Sequence, residues 1–215
     1  MSLPYKLSKE ELGVIEKVSQ DGAKHASESL SKLIGHDVVV RSLEARATPV
    51  EEVHPVTGSP TDKATSVVMG IMGEASGNML LVYSQKSALA MADLLLKRPL
   101  GTTSQLNDLD KSAINESANI ITGAVLSLLS TYLHINMIGD VPKFVEDTLW
   151  LVTDDFLVKF TGPQMRRSVA LEIDFDISTV PVSIEPIRTH LIIIFDVRSV
   201  DMMLTALKSV SETQK

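Results

Sequence analysis

Two segments of this sequence, 112 positions apart, end alike. Leu81-Val-Tyr83-Ser-Gln-Lys86-Ser87 and Ile193-Ile-Phe195-Asp-Val-Arg198-Ser199 each run a strand into an aromatic residue. A basic residue, a serine and an amphipathic helix follow in both. What precedes them is also alike: a long helical segment, about three strands, then the short helix. Internal duplication is the economical reading; the competing one is that any α/β protein offers a strand–turn–helix twice. Neither half has enough strands for its own core, so the halves share one sheet. The expected fold is an α+β domain with pseudo-two-fold duplication, two long helices lying on a mainly antiparallel sheet. It forms one domain over residues 1–215, with pseudo-repeats at about 8–100 and 107–211.

The element boundaries follow from capping and periodicity. Ser8 with Glu11 makes a capping box, and the helix they open stops near Gly35. His36 to Leu43 is valine-rich and predicts a strand, whereas Ala47 to Thr65, with its prolines and charges, predicts a loop or hairpin arm. Ser66–Met72 and Gly77–Tyr83 predict two strands, and Lys86–Lys97 a helix. In the second half Asn107 or Asp108 opens a helix to about His134. Ile135–Ile138 starts a strand, and Gly139-Asp-Val-Pro142 bends the chain. Strand-like material is expected around Asp154-Asp155, then strands at Ser168–Ile177 and Thr189–Val197. The run Leu191-Ile-Ile-Ile-Phe195 reads as buried on both faces. Ser199–Val210 closes as a helix.

Charge and composition exclude several classes. Lys+Arg is 20 and Asp+Glu is 27, a net charge of −7. The basic pairs Lys97-Arg98 and Arg166-Arg167 are too short to make a patch for nucleic acid or anionic membrane. The 215 residues contain no cysteine, which removes thiol nucleophiles and thiolate metal sites. The best apolar segment, Ile120–Leu133, is shorter than the ~20 residues a bilayer span needs. The N-terminus lacks a signal-peptide pattern, and the expected location is cytoplasmic.

The most informative stretch is the second long helix. At about 100° per residue, Ser112, Glu116 and Asn119 fall in one sector, continued by Gly123, Ser127 and Ser130. Ile114, Ala118, Ile121, Val125, Leu128 and Leu129 lie opposite. Solvated helix faces usually carry paired Lys and Glu. This one carries a single acid, an amide, a glycine and hydroxyls, so it is flat and open to close approach. On composition alone, an ordinary solvated face remains the simpler reading.

Ser112-Ala-Ile-Asn-Glu116-Ser-Ala-Asn119, followed after 22 residues by Pro142, resembles the signature of the CheC/CheX/FliY family of CheY-phosphate phosphatases. That signature is Asp or Ser, three residues, Glu, two residues, Asn, then a distant Pro. Ala26-Ser-Glu-Ser-Leu30-Ser-Lys-Leu33 is similar to the small-residue stretch that ends the first helix of CheC proteins. The resemblance implies dephosphorylation of the aspartyl phosphate of a CheY-type response regulator in chemotaxis. Asn119 would orient the attacking water and Glu116 would pair with a receiver lysine. Ser112, Gly123 and Pro142 would support partner binding. It implies no cofactor of the chain's own, since Mg²⁺ belongs to the phosphorylated receiver, and leaves open whether CheD binds. A non-catalytic CheC-like adaptor, binding a receiver domain or the flagellar or archaellar switch, is the alternative. A small-molecule sensor with a pocket in the sheet–helix crevice is a third.

Many CheC proteins carry the motif on the first helix too. Setting Leu30-Ser31 against Leu129-Ser130 places Gly13, Lys17 and Gln20 at the positions of Ser112, Glu116 and Asn119. Glu→Lys reverses the charge and Asn→Gln adds a methylene, so this second site reads as degenerate. No metal site is expected: no two histidines sit three or four apart. His36 and His134 fit helix C-termini. Asp154-Asp155 and Asp174-Phe-Asp176 read as solvated loop acids, and most of the methionines, Met72 among them, as core filler.

Overall fold

The computed structural model describes residues 8–35, 37–49, 53, 59–160, 169–179 and 186–213. His36, His54 and Arg166-Arg167 lie outside them. The elements are α1 (Lys9–Ile34), β1 (Val38–Pro49), β2 (Lys63–Gly73), β3 (Gly77–Ser84), α2 (Gln85–Leu95) and α3 (Asp108–Leu133). They continue with β4 (Met137–Gly139), β5 (Lys143–Thr148), α4 (Leu149–Phe160), β6 (Val169–Thr179), β7 (Ile187–Phe195) and α5 (Val197–Thr213).

The strands form one seven-stranded sheet in the order β1-β6-β7-β3-β2-β4, with β5 also pairing β2. Every pairing is antiparallel. The order is symmetric about the central β3–β7 pair, each half lending strands to the other's side. That arrangement is compatible with duplication, with β1 pairing a strand of the second half and β4 and β5 a strand of the first. β7 lies between β3 and β6 and is buried on both sides, as its apolar run predicts.

The main core packs one face of the sheet under α1, α2, α3 and α5. Met69, Leu81, Tyr83 and Phe195 meet Ile114, Ile121, Val125 and Leu129 there. The second face carries a smaller core: Leu80, Val82, Ala170, Ile192 and Ile194 against Leu149, Val152 and Phe156 of α4.

That second layer corrects the sequence reading. The stretch around Asp154-Asp155 is helix, not strand, and β5 precedes it. Leu149, Val152 and Phe156 recur at helical spacing and face the sheet, while Trp150 and Leu151 are exposed. Apolar residues on both sides of the helix hide the 3.6-residue period. β1 also runs to Pro49, into the expected loop, with a register shift between Ser42 and Glu44. Met72 is exposed rather than core. Asp174 and Asp176 are strand residues, not loop acids.

The two long helices have 26 residues each, and their ends repeat in detail. Gly35 (φ +77°) and His134 (φ +54°) both take the left-handed conformation after the last turn. Gly35 N–H donates to Ser31 O, and His134 N–H to Ser130 O. Ser31 Oγ bridges Val38, accepting from its N–H at 2.9 Å and donating to its carbonyl at 3.2 Å. Ser130 Oγ bridges Met137 in the same way at 3.1 and 3.3 Å. All three residue pairs share one separation of 99 positions. Ser84 and Asp196 likewise cap the following helices, accepting from Ser87 N–H and Ser199 N–H. α1 and α3 touch closely at Gly22, where a Cβ would meet Val125 Cγ2 at 3.2 Å.

Candidate functional site

α3 is anchored at its start by a reciprocal capping box. Asn107 caps it, accepting from Leu109 N–H (2.9 Å) and Asp110 N–H (3.1 Å), while Asp110 Oδ2 accepts from Asn107 N–H (2.8 Å). This reciprocal box satisfies donors the helix leaves open. Asp110 is fully buried and pairs with Arg98 at 2.7 Å. Arg98 also donates to Thr103 Oγ1 (2.9 Å), and buried Asp93 accepts from Thr103 Oγ1 at 2.6 Å and from the Thr102 and Thr103 N–H groups at 3.0 Å. Two buried carboxylates, each with several donors, thereby fix the α2–α3 connection.

From this base the helix presents Ser112, Glu116, Asn119, Gly123 and Ser127 to solvent. Ile114, Ala118, Ile121 and Val125 are buried, and Leu128 is partly buried against the main core. Glu116 and Asn119 have no intramolecular side-chain hydrogen bond or ion pair among the described residues. A Cβ at Gly123 would meet nothing within 4 Å, so the face stays open beyond Asn119.

The β4–β5 connection runs beneath α3. A Cβ at Gly139 would lie 3.7 Å from Leu126 Cδ1. Lys111 Nζ stands 5.4 Å from the Phe144 ring centroid and pairs with Glu146 at 2.8 Å. Pro142 lies between these two contacts along the chain. The hydrogen bond and charge of Glu146 raise the Lys111 pKa.

On α1, Gly13, Lys17 and Gln20 are exposed at the corresponding positions. Lys17 Nζ stands 5.6 Å from the centroid of Tyr132 on α3, whose hydroxyl donates to Asp21 Oδ2 at 2.9 Å. Lys17 is thus turned to a neighbouring helix.

Two features went unread in the sequence. One is the Lys111–Phe144–Glu146 clamp, which joins residues distant in the chain. The other is Leu109, 60% exposed, three residues before Ser112 on the same face. Its signal was an apolar residue on the polar sector. The carboxylates of β6 are engaged elsewhere: His190, buried in β7, places Nδ1 2.7 Å from Asp174 Oδ1 and Nε2 3.3 Å from Glu172 Oε2. Burial pulls the imidazole pKa down, but the two carboxylates outweigh it and the net shift is upward. Arg188 pairs with Asp176 at 3.3 Å. Among the described residues no cluster of three ligating side chains could hold a metal ion, and no helix is long and apolar enough to cross a membrane. An apolar recess between α1, α3 and α5, lined by Val18, Leu133 and Met203 among others, has no polar group to orient a ligand.

The chain is similar to several known proteins. The family model "Chemotaxis phosphatase CheX" matches residues 65–161, which include α3 and Pro142. The CheY-P phosphatase CheC of Bacillus subtilis (strain 168) is 20% identical over 209 residues, covering 96% of this chain and 98% of that protein. The crystal structure of Thermotoga maritima FliY superposes with a TM-score of 0.74 at 18% identity, over 96% of this chain and 100% of that one. The FliM middle domain from H. pylori gives 0.63 at 14% identity, over 93% of this chain and 99% of that one. Part of the chain matches a CheX family model, nearly all of it aligns with CheC, and its fold is like that of FliY, so the chain is similar to the CheC, CheX and FliY proteins.

Proposed function

We propose that the chain dephosphorylates the aspartyl phosphate of a CheY-type receiver domain. One observation carries this: Glu116 and Asn119 stand a turn apart, exposed and without internal partners among the described residues, on a helix whose start is locked by a capping box and the Arg98–Asp110 ion pair. Groups that act on a partner must be held in place yet uncommitted.

Each residue has a distinct task. The Asn119 amide enters the receiver's site and holds a water in line with phosphorus, donating and accepting at once. The water oxygen forms the new P–O bond as the bond to the aspartyl oxygen breaks. Inorganic phosphate leaves, the aspartate returns to its carboxylate, and the water's proton passes to phosphate or solvent. Glu116 pairs with the receiver's lysine and sets register. Ser112 stands one turn earlier as a supporting contact, and Gly123 and Pro142 leave the approach clear. The Mg²⁺ of this chemistry belongs to the receiver, so the reading asks no metal ligand of this chain. Gly13, Lys17 and Gln20 form the degenerate counterpart, and the two halves are a duplication.

The FliM fold match favours a second reading, a switch adaptor that docks without hydrolysis. Phosphate release from a phosphorylated receiver, with and without the protein, separates the two. Acceleration lost in Asn119→Ala supports the phosphatase; binding without acceleration supports the adaptor.

A further inference from the structure

We propose that Leu109 is an apolar docking anchor for the receiver, which meets it with a recess beside a cationic group. This rests on the function proposed above and adds a residue to it. Leu109 is 60% exposed, at the second position of α3. It precedes Ser112 by three residues and Glu116 by seven, so all three share one helical face. Its backbone is held in place: its N–H donates to Asn107 Oδ1, and its neighbour Asp110 is buried against Arg98. An anchor held this rigidly costs little further entropy on binding.

The surrounding charge indicates what covers it. Asp108 and Glu116 are exposed on the same end of the helix. The nearby cation, Lys111, is taken up by Glu146 at 2.8 Å and lies over Phe144. The face therefore offers an apolar knob between carboxylates, and its complement is an apolar recess flanked by positive charge. The same position on α1, 99 residues earlier, is Glu10, an exposed acid. The apolar choice belongs to the half that carries Glu116 and Asn119.

The test uses Leu109→Ala and Leu109→Glu in the full chain. Binding is measured to a CheY-type receiver loaded with Mg²⁺ and beryllium fluoride as phosphoryl mimic, and turnover to the phosphorylated receiver. An exposed leucine is not needed for folding, and an unchanged melting temperature verifies this. The expected result is a rise of about tenfold in Kd and KM for Leu109→Ala, more for Leu109→Glu, with kcat at saturation unchanged. A Kd within about twofold of wild type, or a fall in kcat at constant KM, overturns the anchor. The two failures are distinguishable. If wild type binds the receiver but does not speed hydrolysis, the phosphatase reading falls and Kd still decides Leu109. If wild type does not bind the receiver, both fall.

Discussion

α1 and α3 are built to one plan and differ on their exposed faces. Both have 26 residues, both end in a left-handed residue, and both use a serine hydroxyl to bridge the next strand through its N–H and carbonyl. Those shared features satisfy backbone groups that each helix and strand would otherwise bury unpaired. On the outward face no such demand exists. There α3 carries Ser112, Glu116 and Asn119 where α1 carries Gly13, Lys17 and Gln20, all exposed. Divergence on a face free of packing demands reflects what the face does. On α3 the polar groups are uncommitted; on α1 the lysine leans over Tyr132.

The largest effect expected from breaking this contrast is at Asn119. Asn119→Ala keeps the helix, since alanine is the best helix former, but removes the group proposed to hold the water. Turnover at saturating receiver should fall on the order of a hundredfold. Full activity in this variant would end the positioning role even if the protein is a phosphatase. Glu116→Ala should act differently, raising KM about thirtyfold through a lost interfacial charge pair, with partial rescue at high receiver concentration. Loss of kcat without change in KM would move Glu116 from docking to chemistry.

How far the sequence carried this contrast can be read residue by residue. Local signals placed both ends of α3, because the Asn107 cap and the His134 terminus act on neighbours a few positions away. The three-four spacing put Glu116 and Asn119 on one face, because helical geometry is local. α4 was missed because its segment is apolar on both sides and so lacks a period. β5 was missed because it is an edge strand with mostly exposed residues, and only its pairing with β2 makes it a strand. The Lys111–Glu146 pair and the His190 cluster required tertiary structure, since each joins different elements.

The pH dependence of stability should come from the sheet's other region, away from α3. The carboxylates of Asp174 and Glu172 raise the His190 pKa above its usual value against the pull of burial. A raised folded-state pKa stabilises fully below the unfolded value of about 6.5 and loses that contribution as pH rises through the folded one. Urea melts at about pH 6 and about pH 9 should therefore show wild type losing stability, and His190→Gln losing less of it across that range. An equal pH dependence in both would remove His190 as the source. Activity profiles of the α3 variants are best compared within one pH, so that this background cancels.

The smallest effect is the sharpest test of the contrast itself. If α1 has no docking role, Lys17→Ala should leave kcat/KM within about twofold, because an exposed charge contributes little. Structure adds a second expectation. Lys17 stands over the Tyr132 ring, and Tyr132 donates to Asp21, so the lysine helps hold α1 against α3. Losing an exposed cation–π contact should cost about 0.5 kcal/mol and lower the melting temperature slightly. The two readouts separate the roles. A small thermal shift with unchanged activity assigns Lys17 to packing between the helices. A tenfold loss of activity with no thermal shift would make α1 part of the docking surface, and the two faces would then be one interface rather than a working site and its degenerate copy.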